Sequence, residues 1–493
     1  MGRIIPIQIN NFEGGMADDV RSVDFRKYGF STRFVIHHRK GLVPKLDWVA
    51  ATTIGASSTG LKAYSIQEFL YANNRIYGLG REGSSYPQIV EQTPISQTWS
   101  LSDTGSGTSN TLVRGSFSHY KNYLYGWSSG GAIFKYGSIT TGTKVFTDVF
   151  ATVSTPTNVA QAFVGKDDNV HFPYDNIVAS YDNTTFTKID LTLPDDMIIR
   201  STDNWRKFAV VGCKSKSQIG GENSKVYLWD YVSDDITDVI DWGDGELEVI
   251  GTIEGHIIGV SIVRGVEIAR KIVVKRYNGG EPKTIAELPG FDEDGDLIDL
   301  ENYKSVHDNK LFFTLSAVGN LNEMAGVWVV GRKSPNEEFA VYQNDRPNFT
   351  GGNALTIDGF INWRGFLFVA HQANGTVSLS ANNTYTDKAI YESLKFNGKN
   401  AGIEKQLKGV RVTFKPLLSD GQVVLKYRVN EETSWTTIFT ETKDDVISKD
   451  ATLEITNGKN FKTFKEIQFR IESTGKAEIT GFDAKFEELD PKF

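Results

Sequence analysis

The sequence predicts an all-β chain: a β-propeller of about seven blades followed by a C-terminal β-sandwich. Three observations predict it. Thirty Phe, 19 Tyr and 9 Trp stand beside 47 Gly and only 4 Met in 493 residues, which supplies pleat-filling side chains and turn residues without a sustained helical period. Short apolar segments recur at near-constant spacing before residue 398, and beyond it the texture changes to long period-two alternation.

The recurring segments are "NNRIYGLG", "KNYLYGWS", "DDNVHFPY", "WRKFAVVG", "EGHIIGVS", "DNKLFFTL" and "WRGFLFVA". Their first apolar positions, Ile76, Leu124, Val170, Phe208, Ile257, Leu311 and Phe366, are separated by 48, 46, 38, 49, 54 and 55 residues. A four-stranded blade takes about 40 to 50 residues, so each segment marks one blade. In all but the first, a second strand-like run follows, from "GAIFKYGS" to "GTVSLSAN". The pair reads as an inner strand facing a central channel and its outward neighbour.

The domain layout follows. Residues 1–45 form an N-terminal arm and a blade-closing strand, "FSTRFVIHH" at 30–38; residues 46–397 form the propeller; residues 398–493 form the sandwich. In this last part Val410, Val412 and Phe414, then Ile467, Phe469 and Ile471, alternate with polar neighbours, as half-buried strands do. "KFNGKNAG" at 395–402 is the expected linker.

Composition excludes several classes. Cys213 is the single cysteine, so neither an internal disulfide framework nor a cysteine zinc site is available. The histidines, His37, His38, His119, His171, His256, His307 and His371, show no HExxH or HxH spacing. No run of 18 apolar residues exists and the start lacks a signal-like apolar core, so neither a membrane span nor direct secretion is expected. The net charge of −8 is concentrated: residues 230–301 hold 18 acidic against 6 basic side chains, whereas 398–493 balance at 16 each. Such a surface repels phosphates, which disfavours tight DNA binding but not DNA passing by.

Gly14, Gly15, Asp18 and Asp19 mark a turn near the N-terminus. The pattern F-x-G-G-[IM]-A-D-D-x-R from Phe12 to Arg21, with a G-L-V-P turn from Gly41 to Pro44, resembles the start of β-propeller virion proteins of tailed bacteriophages. The C-terminal "VVLKYRVNEETSWTTIFTE" and "FKEIQFRIESTGKAEITGFDAKFE" are similar to the module that ends many of these proteins. The resemblance implies a non-enzymatic, tail-associated structural protein, nozzle- or hub-like, assembled in several copies with other tail proteins. Its place would be the virion tail, after synthesis in the host cytoplasm. The acidic 230–301 region would then line a lumen through which DNA passes.

Candidate chemistry is sparse. In "FDEDGDLIDLE", Asp292, Asp294, Asp296 and Asp299 alternate around Gly295, a spacing that converges carboxylates on a hard cation, although EF-hand order is not met. A solvated connecting loop is the other reading. Asp241, Asp244 and Glu246 surround an Asp-Gly that reads as a hairpin; paired carboxylates in a propeller pocket are also a glycosidase device. Trp127, Trp229, Trp242 and Trp435 either stack on sugars or, the preferred reading, pack between blades. The basic "HHRKGLVPK" at 37–45 is short and unsupported elsewhere. No nucleophile elbow, P-loop or dinucleotide fingerprint appears, so no cofactor and no catalytic residue is assigned. The leading expectation is a tail component without enzymatic activity. The alternatives are a receptor-binding protein recognising a host surface glycan and a glycan-degrading propeller.

Overall fold

The repeated segments owe their similarity to one local event, a tight reversal of the chain. In the computed structural model, strand pairs close at Ala72 with Arg75, Tyr120 with Tyr123, Trp205 with Phe208, Ile253 with His256, His307 with Lys310 and Trp363 with Phe366. Each closure leaves two residues for the turn. At Asn73-Asn74 (φ 46° and 59°), Glu254-Gly255 (49° and 78°) and Asp308-Asn309 (48° and 56°) both are left-handed, the conformation that matches the strand twist and that Asn, Asp and Gly adopt most readily.

The structure describes residues 4–9, 30–32, 34–36, 42–44, 48–51, 66–82, 86–92, 99–104, 117–128, 131–140, 144–216, 223–263, 270–290, 297–318, 324–332, 338–345, 355–363, 366–373, 376–382, 388–397, 402–418, 420–452, 461–475 and 477–489. Among these there is no α-helix, hence none long and apolar enough to cross a membrane. The chain divides into two compact units, Val49–Val327 with Pro347–Ala381, and Met1–Trp48 with Trp328–Arg346 and Asn382–Phe493.

Among the described residues, five antiparallel sheets hold four strands each and run in chain order from Ile66–Ala72 to Lys283–Pro289. An eight-stranded sheet supplies two further sets of four, joined only where Ala317 meets Leu355. The first strands are Ile66–Ala72, Ser118–Tyr120, Phe163–Val164, Met197–Trp205, Glu246–Ile253, Leu297–His307 and Leu355–Trp363. Each lies against the sheet of the next, and Leu355–Trp363 returns to Ile66–Ala72. The result is a seven-bladed β-propeller, with these strands innermost.

Four details differ from the sequence expectation. The repeated segments are the second strands of the blades, because the reversal that makes them alike precedes them; the innermost strands are less alike. The first blade does have its third strand, Tyr86–Gln92. The strand completing the last blade is Trp48–Ala51, beside Thr376–Asn382, not residues 30–38. Phe30–Thr32 instead pairs with Ala389–Glu392, and Phe34–Ile36 with Leu42–Pro44. Ile4–Ile9 pairs with Ile479–Glu488 over six residues, so this segment is a sheet strand rather than a free arm. The Phe12–Arg21 motif lies outside the described residues.

Blades pack face to face through aromatic side chains. Trp127 meets Phe172 edge-on at 6.0 Å and 88°; Trp229 and Trp242 are buried with it, as expected for packing between blades. Gly259 permits a close approach: a Cβ there would stand 2.5 Å from Cζ2 of Trp242. The Asp244-Gly245 dipeptide is not a hairpin. Gly245, at φ 105°, carries the chain straight from Asp238–Asp244, the outer strand of blade 4, into Glu246–Ile253, the inner strand of blade 5, and only glycine adopts that backbone without strain.

The other unit, apart from Trp328–Arg346, is a β-sandwich. One sheet is built on Ile479–Glu488 and Lys405–Phe414, the other on Ile467–Thr474 and Gln422–Val429. Val410, Val412, Phe414, Ile467, Phe469 and Ile471 are buried, and Phe469 meets Phe482 at 4.8 Å. The period-two alternation thus marks the inward faces.

Candidate functional site

Innermost strands of a propeller have one edge without a ladder partner, so their backbone groups need other acceptors and donors. Between blades 4 and 5 side chains supply them. Ser201 Oγ accepts from the Ile250 amide at 3.0 Å, and Asp203 Oδ2 accepts from the Thr252 amide at 2.7 Å. Bulges interrupt the pairing of both strands, between Ile199 and Ser201 and between Leu247 and Val249, and re-aim the residues that follow.

A larger offset than these lies between Glu301 and Lys304 on the inner strand of blade 6. It brings the Lys304 ammonium to the Thr202 and Ile250 carbonyls, the latter at 2.6 Å, and to 3.8 Å from Asp203 Oδ2. Burial pushes the Lys304 pKa below its ordinary value, and the Asp203 carboxylate partly offsets this. One lysine thereby ties blades 4, 5 and 6 together.

Around this tie the inner strands line an open cavity of about 570 Å³, within the usual range of roughly 300–1,000 Å³ for small-molecule sites. Phe69, Tyr71, Phe163 and Phe360 form its aromatic wall, while Gln161, Thr202, Asp203, Lys304, Ser305 and His307 supply polar groups. These residues come from blades 1, 3, 4, 6 and 7. Asp203 also accepts from the Asn204 amide at 2.8 Å, and His307 lies 3.2 Å from Asp308. The arrangement provides flat apolar surface, hydrogen-bonding groups and one carboxylate next to a cation.

The sites expected from sequence fall elsewhere. Asp292, Asp294 and Asp296 lie outside the described residues. Asp299 is on the inner strand of blade 6, engaged by Arg270 at 2.5 Å and by the Leu300 amide at 3.2 Å. Among the described residues no group of three or more His, Cys, Asp or Glu is placed to hold a metal. Asp241 and Asp244 are exposed on an outer strand, whereas Glu246 is buried and bound to Lys214 at 2.6 Å. Glu248, also buried, takes Arg200 at 2.6 Å and Lys214 at 3.2 Å. Of the described acids in 230–301, Glu246, Glu248 and Asp299 are held in ion pairs while Asp241 and Asp244 are exposed on an outer strand, and the residues lining the cavity come from outside this segment. Trp435, in the other unit, is half-exposed with the Arg428 guanidinium 4.6 Å over its ring.

No protein-family model matches the sequence, and no curated protein matches it. Among solved structures, an exo-β-1,3-galactanase from Phanerochaete chrysosporium is similar over 89% of this chain and 100% of its own, at 10% identity and a TM-score of 0.32. YCF48 from Cyanidioschyzon merolae is similar over 68% of this chain and 98% of its own, at 11% identity and 0.42. The Neurospora crassa Pan2 WD40 domain covers 68% and 95%, at 8% and 0.39. The expectation of a non-enzymatic component of a virion tail is corrected here, because the structures that match begin with glycoside hydrolases. At such identities the likeness concerns fold and assigns no activity to this chain.

Proposed function

We propose that this protein is a glycan-active propeller whose axial cavity takes a saccharide. The observation that carries the reading is the cavity's composition, in which Phe69, Tyr71, Phe163 and Phe360 line the same space as Asp203 and Lys304. Sugar rings present apolar C–H faces, which stack on aromatic rings, and a rim of hydroxyls, which need donors and acceptors. Lys304 gives two of its three donors to carbonyls and its charge is balanced by Asp203 at 3.8 Å, so the pair presents little net charge with which to recruit an anion. Asp203 remains an acceptor for sugar hydroxyls, and the cavity favours neutral glycans over acidic ones.

The test is calorimetric titration with neutral and uronic-acid oligosaccharides, alongside release of reducing ends from the matching polymers. Binding of a neutral oligosaccharide, lost in Phe360→Ala and weakened in Asp203→Asn, supports the reading; release of reducing ends that Asp203→Asn abolishes adds a hydrolytic role. Absence of binding across the neutral panel overturns it.

A further inference from the structure

Away from the axis, blades 2 and 3 meet at a cluster of aromatic rings that holds a cation. The Lys135 ammonium, on Ala132–Gly137, lies 3.9 Å from the Tyr123 ring centroid, 5.0 Å from that of Phe150, 5.8 Å from Tyr125 and 5.9 Å from Tyr181. The rings also pack edge-on against one another beside it: Phe150 and Tyr181 are 4.8 Å apart at 74°, and Tyr125 and Phe150 5.6 Å apart at 67°. Burial pushes the Lys135 pKa below its ordinary value, with no opposite charge to offset it. The Tyr125 hydroxyl is buried with no hydrogen-bond partner among the described residues.

We propose that Tyr123, Tyr125, Phe150 and Tyr181 form a cation-binding cage that takes small quaternary ammonium groups, with Lys135 as its removable internal occupant. A primary ammonium is a poor fit for such a cage, because its three N–H donors find ring faces where they need oxygen acceptors. A quaternary ammonium has no donor to leave unsatisfied and keeps the whole attraction to the ring quadrupoles. Lys135 and the rings of Tyr123 and Phe150 are half-buried, so the flexible lysine stem can leave the cage by rotamer change while the sheets stay in place.

The probe is tetramethylammonium chloride titrated into the full chain, with ammonium chloride at equal ionic strength as control. Tetramethylammonium is expected to bind wild type and to bind Lys135→Ala about tenfold tighter, since the internal competitor is gone. Adding Phe150→Leu to that variant is expected to weaken binding by about fivefold. A second measurement needs no substitution: acetylation of Lys135, followed by mass spectrometry, should accelerate when tetramethylammonium displaces it. Binding absent from a folded Lys135→Ala, binding indifferent to Phe150→Leu, or acetylation of Lys135 unchanged at saturating ligand would each overturn the proposal.

Discussion

Replacing Lys304 by methionine tests whether the axial tie holds the blades. The substitution keeps the length of the stem but removes the ammonium, leaving the Thr202 carbonyl without this donor and the Ile250 carbonyl with the Ser201 hydroxyl at 3.4 Å. An unsatisfied buried acceptor costs about 1–3 kcal/mol. Asp203 also loses its cation, but at 3.8 Å and one-quarter exposed that pair is worth no more than about 1 kcal/mol. Against these losses stands relief from burying a charge, so the expected net destabilisation is about 2 kcal/mol. The pH dependence gives a sharper readout. Burial holds folded Lys304 below the unfolded value of about 10.4, so between the two pKa values the unfolded chain binds the extra proton and stability rises with pH. Methionine lacks this contribution. The stability gap between wild type and Lys304→Met, measured by urea unfolding, should therefore widen as pH climbs from neutral toward 10. A variant at least as stable as wild type, or a gap that narrows with pH, would refute the reasoning.

Three further outcomes follow from the packing. Gly259→Ala drives a methyl to 2.5 Å from Trp242 and should cost about 1–3 kcal/mol in thermal unfolding. Burial alone would raise the Glu472 pKa, but the Lys426 hydrogen bond and the charges of Lys388 and Lys426 outweigh it and hold it below its ordinary value; its stabilisation is then present above the usual carboxylate range and lost on acidification, so Glu472→Gln should destabilise the sandwich at pH 7 and much less at pH 3. Cys213 is buried and burial raises its thiol pKa, so a colourimetric disulfide reagent should label it only on unfolding, at the rate read by fluorescence.

The propeller was legible because its hairpins are local. Asn73-Asn74, Glu254-Gly255 and Asp308-Asn309 declare left-handed turns in any single sequence, and the apolar second strands follow at once. The closing strand was not legible, since Trp48–Ala51 and Phe34–Ile36 are equally apolar and only long-range pairing decides between them. The axial residues were hidden for a related reason. Phe69, Thr202, Lys304 and Phe360 each stand three residues before a hairpin-closing pair, a common register that places them all at the cavity. Two are phenylalanines, one a threonine and one a lysine, and no motif search connects them. Aligning the blades on their turns, rather than on their apolar strands, would have exposed the column and the lysine in it.

That column also links stability to function. A ring of sheets leaves its innermost strands with unladdered edges, and this chain has no disulfide to hold blade to blade. Ser201, Asp203 and Lys304 meet that need with side-chain bonds to the backbone of neighbouring blades. The same requirement concentrates charge and hydrogen-bonding capacity on the axis, where the blades also leave a cavity. Asp203 therefore serves the ring through Oδ2, to Thr252, while Oδ1 accepts only from the adjacent Asn204 amide. Substitutions here should divide by atom: Asp203→Asn, which retains an oxygen acceptor, should spare the fold more than Asp203→Ala while weakening saccharide binding. A ligand seated against Asp203 would bridge blades that Lys304 already joins, so binding should raise the propeller's unfolding temperature in wild type and raise it further in Lys304→Met, where the bridge has more to restore.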